Sequence, residues 1–173
     1  MKRCNPIHRS WPLLSLLLVL LIFSPYAAAA ASLQGIVTWV FDGDTLKVAG
    51  IGKVRLLGID SPEREAGPRD RNFRKLGAET DLRAIHDQAL RFNIQAVKGQ
   101  QVVLKCDQGD QRDRYGRLLA YVYLPDGRLL NQLLLENGLA IVYRRFDFTL
   151  KPAFLQAEQT AQAHHVGMWN KGK

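Results

Sequence analysis

Beyond the first thirty residues, apolar and polar positions alternate in short runs that predict β-strands. Three such runs, at 35–41, 45–48 and 53–59, follow one another with Asp-Gly and Ala-Gly turns between them, which predicts a three-stranded meander. Two more runs rich in β-branched and aromatic residues come later, at 101–106 and 118–124, and a Pro-Asp-Gly turn follows the second. The pattern therefore predicts five short strands.

A helical pattern separates the third predicted strand from the fourth. Apolar residues recur every three or four positions over 78–97, and charged residues take the opposite side. A leucine-rich run at 129–135 and an alanine-rich run that begins near Pro152 predict two further helices. The basic stretch 63–75 has no apolar period and is interpreted as a loop. This order predicts an α+β fold, a five-stranded Greek-key β-barrel of the OB-fold type with three α-helices.

The N-terminal segment 1–31 has a different character. Three positive residues precede an apolar run over 11–23, a break at Pro25 and a row of alanines at 27–31. This is the layout of a secretory signal peptide. The apolar run is shorter than the ~20 residues that span a bilayer, although an uncleaved anchor is the alternative. The expected mature domain is 32–173, secreted or periplasmic, with no membrane contact after cleavage.

Charge and cysteine content narrow the classes of partner and site. The chain has 24 Lys and Arg against 16 Asp and Glu, a formal net charge of +8. Three positive and no acidic residues lie in segment 1–31, so the remainder keeps 21 against 16, or +5. This surplus indicates an anionic partner, either nucleic acid, a membrane surface or an acidic polymer. Only Cys4 and Cys106 are present, which excludes a disulfide framework and a four-cysteine zinc site.

Two acidic clusters lie where predicted strands end. Asp42 and Asp44 flank a glycine on a tight turn and offer hard oxygen ligands to calcium or magnesium, although an ordinary hairpin turn is the alternative. Arg55 interrupts an apolar strand and needs an anionic partner. Asp60 and Glu63 follow at the end of that strand. The alternative for this second cluster is a strand-edge arginine followed by a polar turn.

A third cluster, Asp-Arg-Tyr-Gly-Arg at 113–117, places another arginine and an aromatic ring at the predicted mouth of the barrel. A charged turn between strands is the alternative. Together the three clusters supply carboxylates for a hard cation, a spare carboxylate for proton transfer and two permanently charged guanidinium groups. Phosphodiester hydrolysis needs this combination, because the group under attack is anionic and gains charge in the transition state.

The ordered set of motifs resembles the staphylococcal nuclease (thermonuclease) family. The resemblance extends from about Gly35 to Trp169 and ends with the AE and GMW motifs. It implies a barrel with three helices, secretion, and calcium-dependent hydrolysis of DNA and RNA. The motifs that carry it are DGDT at 42–45, VRLLGIDSPE at 54–63, DRYGRLLAYVY at 113–123 and NGLA at 137–140.

The resemblance also implies roles for individual residues. Arg55 and Arg117 correspond to the two arginines that bind phosphate and stabilise the transition state. Glu63 corresponds to the general base, or to the group that orients the attacking water. The implied substrate contacts are Arg114, Tyr115 and, as a candidate base contact, Tyr143.

The metal site is implied by the same comparison. Asp44 and Asp60 correspond to the carboxylates that bind calcium, and Asp42 lies close enough in sequence to act through water. Ser61 stands where the family usually has threonine, and this position contacts the metal through its backbone carbonyl. Calcium is the expected ion, although magnesium also prefers oxygen ligands.

A non-catalytic nucleic-acid-binding OB-fold module is the main alternative function. Clustered acids beside a phosphate site would repel such a ligand without a cation, which favours the nuclease. A third possibility is an anchored envelope protein whose barrel binds an acidic polymer. DNA and RNA are the expected substrates, the chain is expected to be a monomer, and no stable protein partner is expected.

Overall fold

The computed structural model describes residues 32–107 and 111–170. The predicted signal peptide lies outside the described residues. Within them, no helix has the length and apolar character needed to cross a membrane. The described strands are β1 (Leu33–Val40), β2 (Thr45–Val48), β3 (Gly52–Leu56), β4 (Ile59–Asp60), β5 (Gln101–Lys105), β6 (Leu118–Tyr123) and β7 (Ile141–Val142).

Five of these strands close into a barrel in the order β1-β2-β3-β6-β5, with β5 pairing back onto β1. The β3–β6 pair is parallel and the other pairs are antiparallel. Side chains alternate between the two faces of each strand, so Leu46 and Val54 fill the interior while Lys47 and Lys53 point outward. The register of β1 against β2 shifts at a bulge between Val37 and Trp39.

The barrel and the α+β class confirm the predicted fold, but the helix count differs. Four α-helices are described instead of three, and a 3₁₀-helix follows them. The extra helix is the first, which lies in the stretch interpreted as a loop. The helices are α1 (Asp70–Lys75), α2 (Leu82–Val97), α3 (Leu130–Glu136), α4 (Lys151–Ala163) and the 3₁₀-helix at Gly167–Trp169.

The extra helix α1 has a physical reason that the sequence pattern conceals. It is only six residues long and anchors itself by one fully buried side chain, Phe73. A helix with a single apolar anchor has no period to detect. Acidic Asp70 in its first turn and Arg74 and Lys75 in its last turn match the direction of the helix dipole.

The predicted third strand is also shorter than expected. It ends at Leu56, and Gly58 turns the chain with a φ of 81°. A side chain at Gly58 would meet the Phe148 ring at 2.6 Å, so only glycine fits both the backbone angle and the space. After this turn, β4 leaves the barrel and pairs with β7 in a separate two-stranded sheet.

Helix α2 packs beside the barrel and holds two of the loops that carry the acidic clusters. Asp81 caps its start by accepting a hydrogen bond from the backbone N–H of Arg83. Buried His86 contacts the carbonyl of Pro62 at 3.0 Å, and the amide of Asn93 donates to the carbonyl of Asp42 at 3.1 Å. These two bonds fix the loops relative to each other.

Candidate active site

The loop at 42–44 presents Asp44 to the interior of the site. The backbone N–H of Asp44 donates to the carboxylate of Asp42 at 2.9 Å, which closes a tight turn. Gly43 lies so close to its neighbours that a Cβ there would meet Ser61 Oγ at 2.5 Å and Ala89 Cβ at 2.7 Å. The sequence therefore needs glycine between the two aspartates for the loop to pack against Ser61 and α2.

Arg55 joins the first two acidic clusters. Its guanidinium donates to Asp44 Oδ1 at 2.5 Å and to Asp60 Oδ1 at 2.8 Å. Both carboxylates are almost fully buried, at 3% and 2% exposure, and the backbone N–H of Ser61 donates to Asp44 Oδ2 at 3.1 Å. Buried charges are tolerated only when paired in this way. The anionic partner that Arg55 requires is therefore supplied by the protein.

Arg69 forms a second bridge that sequence reasoning did not assign. It lies directly before α1, and its guanidinium pairs with Asp60 Oδ1 and with Glu63 Oε1. One oxygen of Asp60 is therefore shared by Arg55 and Arg69. The only signal in the sequence is the basic stretch 63–75, which is interpreted as a loop. The pairing depends on how the loop folds back, which residue spacing does not reveal.

Arg117 reaches the same cluster from the third motif. Its Nη1 lies 3.4 Å from Thr45 Oγ1, and that hydroxyl donates to Asp44 Oδ1 at 2.9 Å. Asp113 holds Arg117 by accepting from its backbone N–H at 3.0 Å and from its Nε at 2.8 Å. Burial opposes ionisation of Asp113, but these bonds outweigh it and keep its pKa below the usual range.

Aromatic and basic side chains surround an open cavity of about 570 Å³ above this cluster. Tyr115 is 67% exposed, and the guanidinium groups of Arg114 and Arg117 lie over its ring at 4.8 and 5.4 Å. Tyr143, Arg145 and Phe146 also line the cavity, and the ring centres of Tyr143 and Phe146 are 5.2 Å apart. Arg55, Asp60, Arg69 and Arg117 also line the cavity.

Burial and neighbouring charges shift the pKa values of the paired groups in the site. Burial, together with the charge of Asp44, raises the pKa of Asp42 to about 6. Burial also raises the pKa of Asp60 above its usual range, against the opposing charges of Arg69 and Arg55. The pKa of Arg55 is raised because Asp44 and Asp60 outweigh the cost of its own burial. The pKa values of Asp42, Asp60 and Arg55 are therefore linked, because each depends on the charges of its neighbours in the cluster.

The sequence-derived site residues are brought together to different degrees. Asp44 and Asp60 meet at Arg55, and Ser61 donates its backbone N–H to Asp44. Asp42 uses its carboxylate to close the turn. Glu63 forms an ion pair with Arg69, and its side chain is about half exposed. Within residues 32–107 and 111–170, no three His, Cys, Asp or Glu side chains form a group able to hold a metal ion by themselves. A site here would depend on two carboxylates and backbone or water oxygens.

The closed five-stranded barrel has the OB-fold architecture, and arginines paired with buried aspartates lie beside its open cavity. A family model described as staphylococcal nuclease homologue matches residues 53–171. The chain belongs to the staphylococcal nuclease family, as its motifs predicted.

Individual relatives agree with this placement. The SPbeta prophage-derived endonuclease YokF of Bacillus subtilis is 34% identical over 75% of this chain and 42% of its own length. Endonuclease YncB of the same organism is 35% identical over 75% of this chain and 58% of its own length. The thermonuclease of Staphylococcus intermedius is 29% identical over 92% and 95% of the two chains. The chain thus spans about half the length of the two Bacillus endonucleases.

Proposed function

We propose that this protein is a calcium-dependent nuclease that hydrolyses phosphodiester bonds of DNA and RNA. The observation that carries the proposal is the convergence of two arginines from distant motifs on one open cavity beside two buried carboxylates. Arg55 and Arg117 both line this cavity, and Arg55 contacts Asp44 and Asp60. The endonuclease and thermonuclease names of the relatives support the same reaction class.

Arg55 and Arg117 would bind the phosphate under attack. A phosphodiester repels an approaching nucleophile until its charge is neutralised, and its five-coordinate transition state carries more charge on the oxygens. Guanidinium forks match that geometry with paired hydrogen bonds. Both side chains are held by carboxylates, Arg55 by Asp44 and Asp60 and Arg117 by Asp113. They are therefore oriented before substrate arrives, which is how electrostatic stabilisation lowers a barrier.

Glu63 would accept the proton of the attacking water or orient that water. It is the half-exposed carboxylate of the cluster, so water reaches it, whereas Asp44 and Asp60 are buried. Its partner Arg69 lines the cavity, so Glu63 lies one side chain away from it. A carboxylate in this position can take one proton and return it to solvent.

The donor set fits calcium. Asp44, in the loop before β2, and Asp60, at the end of β4, provide buried carboxylate oxygens, and both contact one positive group, the Arg55 guanidinium. Calcium accepts carboxylates, backbone carbonyls and water in a flexible shell. Asp44, Asp60 and the Ser61 carbonyl would hold the ion, with Asp42 and Glu63 acting through water. Bound calcium would neutralise phosphate charge and favour ionisation of a nearby water.

The nucleotide itself would be held by the aromatic and basic walls of the cavity. Tyr115 and Tyr143 both line the cavity with aromatic rings, and Arg114 adds a cation over the Tyr115 ring. These contacts recognise phosphate, sugar and base surfaces without reading base identity. A site of this kind accepts both DNA and RNA.

The proposal is tested by substitutions that remove one chemical role at a time. Arg55→Ala and Glu63→Gln are compared with wild type on single- and double-stranded DNA and RNA, with calcium, magnesium or chelator. We expect Arg55→Ala to lower kcat about 10²–10³-fold and Glu63→Gln to lower it by at least ~10²-fold. Lys105→Ala removes an exposed charge over the Tyr123 ring and serves as the control.

Three outcomes would contradict the proposal. If wild type cleaves as fast in chelator as it does in calcium, the reaction does not need a metal ion. Unchanged turnover in Glu63→Gln would remove that residue from the mechanism. Binding of nucleic acid without any cleavage by wild type would favour the non-catalytic OB-fold module instead.

We also propose that the protein is secreted or periplasmic after removal of segment 1–31, and that it works as a monomer. The charge, apolar run and alanines of that segment support export. The described residues begin a complete barrel at Leu33, so the proposed cleavage leaves the fold intact. Size-exclusion chromatography with light scattering tests the monomer, and a dimer mass would contradict it.

A further inference from the structure

Aromatic and basic side chains form a row across the outer face of three barrel strands. The β1–β2 register places Trp39 opposite Lys47, and the β2–β3 register places Lys47 opposite Lys53. Opposed residues on neighbouring strands lie side by side on the same face of a sheet. Phe41 follows β1 immediately, and Lys98 comes from the end of α2. We call Trp39, Phe41, Lys47, Lys53 and Lys98 the lysine–aromatic face.

The two rings of this face are exposed and in contact with ammonium groups. Trp39 is 53% exposed and Phe41 is 39% exposed. Lys98 Nζ lies 5.2 Å from the centre of the Trp39 ring, and Lys53 Nζ lies 4.8 Å from that of Phe41. Large exposed rings of this size usually mark a contact surface. Cation–π contacts orient the rings but leave much of their surface open to solvent.

The charges of this face are unbalanced. Among residues 32–107 and 111–170, none of its three lysines forms an ion pair with an acidic side chain, whereas Arg55, Arg69 and Arg117 all do. Like charges on adjacent strands repel each other. Neighbouring lysines without acidic partners therefore favour an anionic ligand.

The face is continuous with the candidate active site. Lys53 and Arg55 lie two residues apart on β3 and share its outward side, because Val54 and Leu56 point into the barrel. Lys47 stands in the same relation to Thr45 on β2. Two residues span about 7 Å along a strand. At the other end, Phe41 directly precedes the loop of Asp42.

We propose that the lysine–aromatic face binds the nucleic-acid strand that runs out of the active site, with phosphates on Lys47 and Lys53 and a base stacked on Trp39. This inference rests on the proposed nuclease function and adds a binding site outside the catalytic cavity. Single-stranded nucleic acid combines the two features that the face offers, a repeated anionic backbone and flat apolar bases. Continuity with Arg55 favours this ligand over an anionic lipid surface.

Tryptophan fluorescence tests the stacking directly. Trp169 is buried at 4% exposure, whereas Trp39 is 53% exposed, so of the two tryptophans in the described residues Trp39 is the one that a ligand can reach. The full chain is titrated with a single-stranded DNA 12-mer in chelator, where no cleavage is expected. We expect quenching that is absent from Trp39→Phe, and about tenfold weaker binding for Trp39→Ala. Equal quenching in Trp39→Phe would overturn the proposal.

Charge is tested with the double variant Lys47→Gln/Lys53→Gln. We expect the slope of log affinity against log salt to fall by roughly 1.4, since each phosphate contact contributes about 0.7 for single strands. Cleavage of the 12-mer should lose several-fold in kcat/KM, while cleavage of a dinucleotide should not change. Lys105→Gln is the matched control, because Lys105 is an exposed lysine on another strand that also lies over an aromatic ring, with its Nζ 4.6 Å from the centre of Tyr123.

The outcomes separate this proposal from the proposed function. If wild type cleaves neither substrate, the nuclease function fails, while 12-mer binding that depends on Lys47, Lys53 and Trp39 would still support the face. If the 12-mer binds and is cleaved equally in wild type and the double variant, the face is overturned and the nuclease stands. Anionic phosphatidylglycerol vesicles are titrated in parallel. If the double variant loses binding to the vesicles but keeps binding to the 12-mer, the face binds a lipid surface and the nucleic-acid proposal is overturned.

Discussion

Arg69 changes how the acids of the candidate site are to be understood. Sequence motifs assign Asp60 to a cation and Glu63 to water, but both carboxylates also pair with this one guanidinium. Arg55 supplies a second positive charge to Asp60. A divalent cation that binds between Asp44 and Asp60 would meet the repulsion of two arginines. The affinity for the cation therefore depends on how easily Arg69, which is 41% exposed, moves away.

We expect Arg69→Ala to bind calcium about fivefold more tightly than wild type. The size follows from about 1 kcal/mol for two solvent-screened ion pairs. Isothermal titration calorimetry measures it without any substrate. Arg71→Ala is the control, because Arg71 is an exposed arginine of α1, two residues from Arg69. Equal calcium affinities in wild type and Arg69→Ala would show that Arg69 does not oppose the cation. An equal gain in Arg71→Ala would show that the effect comes from the change in net charge and not from the ion pairs of Arg69.

At the scale of elements, the turn at 113–117 fixes the orientation of the Arg117 side chain. The Asp113 carboxylate accepts backbone N–H bonds from Tyr115 and Arg117, and it also accepts from the Arg117 side chain. The backbone closes the turn with a bond from Gly116 to the Asp113 carbonyl. The Asp113 side chain therefore stabilises the turn and also orients Arg117 toward Thr45.

Asp113→Asn separates the bonding of the turn backbone from the orientation of the Arg117 side chain. The amide oxygen still accepts the backbone bonds, but the charged partner of Arg117 is lost, so we expect about tenfold lower kcat and a small decrease in melting temperature at pH 7, where the ion pair contributes to stability. The folded pKa of Asp113 is lowered, so its contribution is present above the unfolded pKa of about 3.9 and is lost as the pH falls below it. Wild type should therefore lose more stability than Asp113→Asn on acidification below about pH 4. Identical acid melting curves would contradict this, as would full activity at pH 7.

The sequence predicted elements well where several residues repeat a pattern. Alternation located all five barrel strands, and the helical period located α2. It failed where one contact decides the conformation. The strand after Arg55 stops because Gly58 makes room for Phe148, a residue 90 positions later, and α1 forms around Phe73 alone. The site followed the same rule, since the motifs brought Asp44, Arg55 and Asp60 together but could not reveal that Arg69 returns to them.

At the scale of the whole molecule, positive charge extends from the cavity over one side of the barrel. Arginines line the cavity, and the lysines at 47 and 53 continue the charge along β2 and β3. Asp44 and Asp60 lie buried beside Arg55, at one end of this path. Under the proposed function, a polymer would contact the lysines along the barrel and meet these two carboxylates only where it enters the cavity.

Export should leave a mature N-terminus close to the start of β1. Leu33 pairs with Leu104 and Gly35 with Val102, so removal of residues beyond 33 would break the contact that closes the barrel. We expect intact-mass measurement of exported protein to place the new terminus at or before Leu33, within or just after the alanines at 27–31. A full-length chain in the membrane fraction would contradict cleavage and favour the anchored alternative.

The position of β1 in the ring also has a consequence for how the polypeptide acquires its shape. This strand is synthesised first among the described elements, yet one of its two neighbours is β5, more than sixty residues later, and β5 needs β6 on its other side. The ring cannot be completed until Tyr123 is available, and such non-local pairing is slow. A chain threaded through a translocation pore would therefore stay unfolded for most of its passage and assemble only after arrival.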